Sequence, residues 1–199
     1  MKLILASNNA HKAREFREIL APLDIEVMTQ SEAGCNFEAD ETGTTFEDNA
    51  YIKAEAAMKA TGLPSVSDDS GLEVDALGGE PGVHSARYTG RHEDSDADRR
   101  KYLMKKLEGV EHRAARFVSA ICCVFPNGDV IRARGTCEGS IATCEAGENG
   151  FGYDAMFIPE GCTLTMAELS PEEKNAISHR GRALREFARL LKEYCDADK

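Results

Sequence analysis

The chain has 199 residues, enough for one domain or one domain of two lobes with a substantial core, and carries a formal net charge of −11. That acidity argues against sequence-independent binding to nucleic acid or an anionic membrane, which rely on a positive field, so an anionic ligand must be met by local basic side chains. No stretch approaches the roughly 18 apolar residues of a membrane span and no targeting segment is expected; seven cysteines, an odd count without CxxC spacing, fit free thiols in a reducing cytoplasm better than a disulfide framework or zinc knuckle.

In chain order, Lys2 to Ala6 reads as a buried strand running into Ser7, Asn8 and Asn9, residues suited to a turn or a helix N-cap. A helix follows, with Ala13, Phe16, Ile19 and Leu20 on one face and Pro22 just beyond its end. DIEVMT is a second strand, and residues 31–43 form a polar loop. In TTFEDNAYIKAEAAMKA, Thr44 and Glu47 have capping-box spacing, and Phe46, Ala50, Ala54 and Ala57 mark the inward stripe of a helix. LPSVS is a short strand that ends in a corner at Asp68, Asp69, Ser70 and Gly71. A helix is expected over 94–108, starting at Asp94 or Ser95 and stopping before Gly109. RAARFVSAICCVF and VIRARGTCEGSIA, joined by PNGD, read as a long hairpin. Ser170, Pro171 and Glu173 give an N-cap, an N1 proline and an acidic third position, and Ser178 caps a last helix with Leu184, Phe187, Leu191 and Tyr194 inward. Strands and helices in this order imply an α/β protein around a mixed sheet, with no internal repeat.

Cations stand where helix dipoles disfavour them. His11 and Lys12 open the first helix, His179 and Arg180 open the last, and Lys174 lies in the helix begun by Ser170. Either these side chains reach into solvent, or exposed N–H groups and cations together make a seat for phosphate. Asp68 and Asp69 are neighbours, so in extended backbone they point to opposite sides and only one faces a given ligand. Asp40 and Glu41, in the loop before the second helix, are candidate partners, and such hard oxygen donors suit Mg²⁺ and a metal-polarised water. Asn49 and Lys53, four residues apart, share one helix face; Lys53 either snorkels to water or supplies charge to a phosphoryl oxygen. Phe151 and Tyr153 sit on a glycine-flexible loop, where their rings either stack on a base or cap the core.

Five ordered stretches, LASNNAHKAREF, ETGTTFEDNAYIKA, SDDSGLEVDALGGEPGVHSARYTG, GFGYDAMFIP and EEKNAISHRGRAL, resemble the inosine/xanthosine triphosphate pyrophosphatase (Ham1-like) family nearly end to end. The resemblance implies one domain over residues 1–199, an elongated two-lobed α/β fold with its active-site cleft between the lobes, and a homodimer. It also implies Mg²⁺-dependent hydrolysis of ITP, dITP and XTP to the monophosphate and pyrophosphate, which cleanses the nucleotide pool. Carried over motif by motif, it makes Asp69 the general base and a metal ligand, Glu41 the other metal ligand and Lys53 a catalytic cation. Ser7, Asn8, Asn9, Ala10, His11 and Lys12 become the triphosphate segment. Ser70 contacts the substrate, Phe151, Gly152, Tyr153 and Asp154 form the base-binding loop, and Lys174, His179 and Arg180 complete the nucleobase and phosphate contacts. Three positions depart from the family pattern: Asn8 replaces a glycine, Ser67 an alanine and Ala155 a proline. Asn8 is expected to tolerate a tight turn, since asparagine accepts positive φ better than most residues. The competing readings are a Maf-like nucleotide pyrophosphatase, which also opens with an LILAS-type strand, and a nucleotide-binding sensor without catalysis.

Overall fold

Leu3, Ile4 and Leu5 are wholly buried, and they make β1 (Lys2–Leu5) the strand from which the sheet is laid out. The computed structural model describes residues 1–35, 39–91 and 93–197. After β1 comes α1 (Ala10–Leu20), and β2 (Glu26–Thr29) then lies parallel to β1, pairing Leu3 with Val27. Helix α2 (Phe46–Thr61) leads to β3 (Ser65–Val74), which starts parallel to the other edge of β1, with Leu5 opposite Val66. Parallel neighbours require crossover connections, and α1 and α2 lie in them. Next come α3 (Asp96–Lys106), β4 (Ala114–Val124), β5 (Val130–Ile141), the short β6 (Phe157–Pro159), α4 (Pro171–Ile177) and α5 (His179–Ala197). The sheet order is β2-β1-β3-β4-β5-β6, and β6 runs antiparallel to β5, so the mixed-sheet α/β class expected from the sequence holds.

The chain packs into two compact units, one of residues 1–69, 119–135 and 182 onward, the other of residues 70–118 and 136–181. In the first, Leu3, Leu5, Phe16, Leu20, Phe187 and Leu191 form the main core, with the rings of Phe16 and Phe187 edge-on at 6.4 Å. The apolar stripes anticipated for α1 and α5 are the faces that enter it. Ala50 and Ala54 of α2 pack on Cys122 and Val124 in a separate cluster. In the second unit, Leu72, Leu103, Phe117, Met156, Phe157 and Met166 are central.

Three local expectations are revised. Thr45, not Thr44, caps α2, its hydroxyl accepting from the Asp48 N–H at 3.1 Å, while Glu47 turns away to pair with Arg134. The DDSG stretch is no strand end, because β3 continues through it to Val74, and the bends follow later, in 3₁₀ turns at Asp75–Leu77 and Gly82–Arg87. Asn8 has no positive φ, since Asp24 is the only non-glycine residue with one among the described residues; its side chain instead accepts from the N–H and hydroxyl of Ser31. Of the polar loop over 31–43, residues 36–38 lie outside the described part.

Candidate functional site

In the first unit, strand alternation splits Asp68 and Asp69 between two partners. Asp68, nearly inaccessible, faces α1, and its Oδ1 lies 2.8 Å from Lys12 Nζ. Asp69 faces α2, with Oδ1 at 2.7 Å from Lys53 Nζ and Oδ2 at 3.4 Å from Asn49 Nδ2. The i, i+4 spacing that puts Asn49 and Lys53 on one helix face therefore places one side chain at each oxygen of this carboxylate. Lys53 Nζ also reaches Glu41 Oε1 at 2.9 Å. Glu41 is brought there by the turn after it: the Gly43 N–H donates to Asn49 Oδ1 at 2.9 Å, and a Cβ at residue 43 would lie 2.6 Å from Asp48 Cβ. Asp40, the other acidic candidate of this loop, is exposed.

The electrostatics of this centre are set by burial. Burial pushes the Asp69 carboxyl above its ordinary range; Lys53 offsets part of that effect, and the negative charge of Glu41 adds to it. Burial alone would depress the Lys53 ammonium, but Asp69 and Glu41 hold it above its ordinary value. Among the described residues no group of three or more carboxylate, imidazole or thiolate side chains is placed to hold a metal ion. Glu41 and Asp69, meeting at one ammonium, are still a donor set that fits Mg²⁺, which commonly takes one or two carboxylates and completes its shell with water and phosphate oxygens.

The anticipated triphosphate segment surrounds the start of α1. Asn9 is its N-cap, with Oδ1 accepting from the N–H groups of His11 and Lys12, and Ser7 Oγ accepts from the Asn9 N–H. No acidic residue lies in this first turn, and His11 is exposed. The structure thus brings Lys12, Glu41, Lys53, Asp68 and Asp69 into two neighbouring sets of ion pairs within one unit, while Ala10 opens α1 and the Asn8 side chain is held by Ser31.

In the second unit, Ser178 caps α5 by accepting from the Gly181 N–H at 3.1 Å. The cap sets the next two side chains. The His179 ring stacks on Phe117 at 4.8 Å, and Arg180, buried, directs Nη2 to Ser70 Oγ at 3.3 Å. Phe151 is 54% exposed, with Lys174 Nζ at 5.1 Å and the Arg180 guanidinium at 5.7 Å from its ring centre. Asp154 is buried, and its Oδ2 accepts from Lys174 Nζ at 2.7 Å and from the Phe151 N–H at 2.8 Å. Tyr153 takes the other of its two expected roles: its ring lies in the core, and its hydroxyl donates to the Ser85 carbonyl at 2.9 Å. Burial raises the Tyr153 phenol strongly, so it is a hydrogen-bond donor at neutral pH. Gly150 and Gly152 both adopt left-handed φ, and a Cβ on Gly150 would strike the Asp154 carboxylate at 2.2 Å.

Sequence reasoning missed two contributions. Asp68 as the counter-ion of Lys12 could not be read from strand alternation, which separates the two aspartates without saying what each one meets. Asp96 and Arg100 of α3, which grip the Gly152 peptide, look in the sequence like ordinary helix charges. An open groove of about 640 Å³, lined in part by Arg91, Lys101 and Tyr102, contains none of the anticipated site residues.

The first unit thus holds a carboxylate–ammonium centre and the second an aromatic ring flanked by cations, on a mixed-sheet α/β frame. The chain belongs to the Ham1 family, whose profile matches residues 3–190. A dITP/XTP pyrophosphatase of an Exiguobacterium species is 49% identical over 187 residues, covering 94% of this chain and 95% of its own, and one from Bacillus subtilis is 46% identical with coverage of 94% and 96%. Among solved structures, a HAM1 protein from Coxiella burnetii superposes with a TM-score of 0.92 at 42% identity, covering 97% of this chain and 99% of its own. The Ham1 protein of Staphylococcus aureus gives 0.89 at 42% identity, with full coverage of both chains. The match over nearly the whole chain decides against the Maf-like reading.

Proposed function

We propose that this protein hydrolyses the α–β phosphoanhydride of ITP, dITP and XTP, releasing the nucleoside monophosphate and pyrophosphate, and that residues 1–199 act as one functional domain. The observation that carries the reading is the doubly held Asp69 carboxylate, with Lys53 at one oxygen, Asn49 at the other, and Glu41 on the same ammonium. The names of the relatives, dITP/XTP pyrophosphatases, support the same reading.

Asp69 takes a proton from the attacking water. Lys53, hydrogen-bonded to that carboxylate, offsets part of the burial that favours its neutral form. The new bond forms between the water oxygen and the α-phosphorus; the α–β bridging bond breaks, and its electron pair leaves with pyrophosphate. Lys12 meets phosphate charge and is held ready by Asp68, so a phosphate group that draws Lys12 away must compete with a buried carboxylate. Mg²⁺, when bound by Glu41 and Asp69, supplies charge neutralisation of the triphosphate and polarisation of the water.

For the base, Phe151 offers an exposed face for stacking, and Lys174, His179, Arg180 and Ser70 provide polar groups. Donors aimed at a 6-keto oxygen accept inosine and xanthosine and penalise adenine, whose amino group leaves them unpaired. Rejection of GTP then depends on its 2-amino group. The family resemblance further assigns a homodimer, which sedimentation equilibrium tests, and the cysteine pattern a cytoplasmic place. The cytoplasmic reading accords with the free thiols; no described helix is long and apolar enough to cross a membrane. The deciding experiment is pyrophosphate release with Mg²⁺ from ITP, XTP, GTP and ATP by the wild type and Asp69→Asn. Turnover of ITP and XTP that disappears in the variant is expected; nucleotide binding without any pyrophosphate release would favour the sensor.

A further inference from the structure

We propose that Asp96 and Arg100 of α3 are positioning residues for base recognition: they clamp the two polar groups of the Gly152 peptide segment and so fix the face that Phe151 presents. The proposal rests on the reading of residues 151–154 as the base-binding loop.

Phe151 stands between two glycines with left-handed backbone, φ +81° at Gly150 and +61° at Gly152. Glycines leave the flanking torsions free to wander, and a half-exposed ring has too little packing to hold them. Something else must fix this backbone. Asp96 Oδ2 accepts from the Gly152 N–H at 2.5 Å, and Arg100 Nη1 donates to the Gly152 carbonyl at 2.8 Å. The two residues are one helical turn apart, so a single face of α3 reaches both groups of one residue. Both contacts are charge-assisted, the stronger kind of hydrogen bond. The clamp is itself braced: Arg100 Nε donates to Glu145 at 2.9 Å, and Asp96 is paired with Arg99. Asp154 holds the preceding N–H from the other side. With the peptide groups on either side of Phe151 tied to rigid elements, only the ring's own side-chain torsions remain, and the ring stays beside Lys174 and Arg180. Neither Asp96 nor Arg100 needs to touch the nucleotide for this to act. A loop already held in its binding conformation need not be ordered when the base arrives, so this preorganisation contributes to affinity.

The test uses the full chain and the variants Arg100→Ala, Asp96→Ala, Arg100→Lys and Asp96→Asn. Affinities for IMP, which carries the base, and for inorganic pyrophosphate, which does not, are measured by calorimetry with Mg²⁺ present, and kcat and KM are measured for ITP. In both alanine variants, IMP affinity should fall about tenfold and KM rise by about the same factor, while kcat and pyrophosphate affinity stay within about twofold. Asp96→Asn, which keeps an acceptor, and Arg100→Lys, which keeps a donor, should recover most of the loss. Unchanged IMP affinity in the alanine variants overturns the clamp, and so does a parallel loss of IMP affinity, pyrophosphate affinity and kcat, which marks general unfolding. A wild type that binds IMP but releases no pyrophosphate refutes the proposed reaction and leaves the IMP comparison to judge the clamp. A wild type that binds no IMP overturns both.

Discussion

Lys53 Nζ sits between two carboxylates, 2.7 Å from Asp69 and 2.9 Å from Glu41, with only 16% of its side chain exposed. One partly buried ammonium is thus shared by the two acidic groups assigned to metal and water, which leaves the set with one net negative charge. Replacing it with methionine leaves those carboxylates facing each other without a counter-charge. Lys53→Met should lower kcat on ITP by about 10²–10³-fold, the scale for loss of one electrostatic stabiliser. Removal of one partner from a partly buried pair also costs stability, about 1–3 kcal/mol in the urea-unfolding free energy. A variant of unchanged stability and activity would show that the pairing has no consequence.

Gly43 should be required for metal response rather than for folding. A Cβ there would lie 2.7 Å from Asn49 Oδ1 and 2.9 Å from the Asn49 backbone nitrogen, so the turn carrying Glu41 must move. Gly43→Ala is expected to raise the Mg²⁺ concentration for half-maximal activity about tenfold, the lower end of the range for residues that orient metal ligands. Magnesium titration of pyrophosphate release at saturating ITP measures this. An unchanged half-maximum would mean that Glu41 is not held by this turn.

Ser178 links helix capping to the position of Arg180. Its hydroxyl accepts from the Gly181 N–H, and Ser178→Ala removes that bond at a cost of about 1 kcal/mol. For a chain of this size the melting temperature should drop by about 2–4 °C. Because Arg180 reaches Ser70 from the helix turn that this cap organises, KM for ITP should rise at the same time. A melting shift with an unchanged KM would confine the cap to stability.

Thiol chemistry should follow burial. Burial pushes the Cys122 thiol up to about 11 and the Cys123 thiol further still, so neither forms thiolate at pH 8 in the folded protein. Cys144 is exposed. Iodoacetamide at pH 8, read by peptide mass spectrometry, should label Cys144 first and leave Cys122 and Cys123 unmodified until denaturant is added. Early labelling of Cys122 or Cys123 would contradict the packing around β4.

How far the sequence could be read depends on the range of the interaction concerned. Periodicity exposed the inward faces of α1, α2 and α5, and cap chemistry located α3 and α4, because those signals arise within a few residues of chain. The DDSG stretch misled because aspartate, serine and glycine are poor strand formers; β3 nevertheless continues through it, since its residues are held by the sheet and their buried partners. The three-residue β6 had no periodicity to detect and exists through its pairing with β5.

By itself the sequence determined the α/β order, the opposite facing of Asp68 and Asp69, the shared face of Asn49 and Lys53, and the five motifs that mark the family. All of these are local alternations or ordered strings. Only the tertiary structure decided that Asp68 belongs to Lys12 and Asp69 to Lys53, that Phe151 is exposed while Tyr153 is buried, and that α3 holds Gly152. These are contacts between residues up to 56 positions apart, and their geometry arises when elements pack, because hydrogen bonds and ion pairs select partners by distance in space and not along the chain.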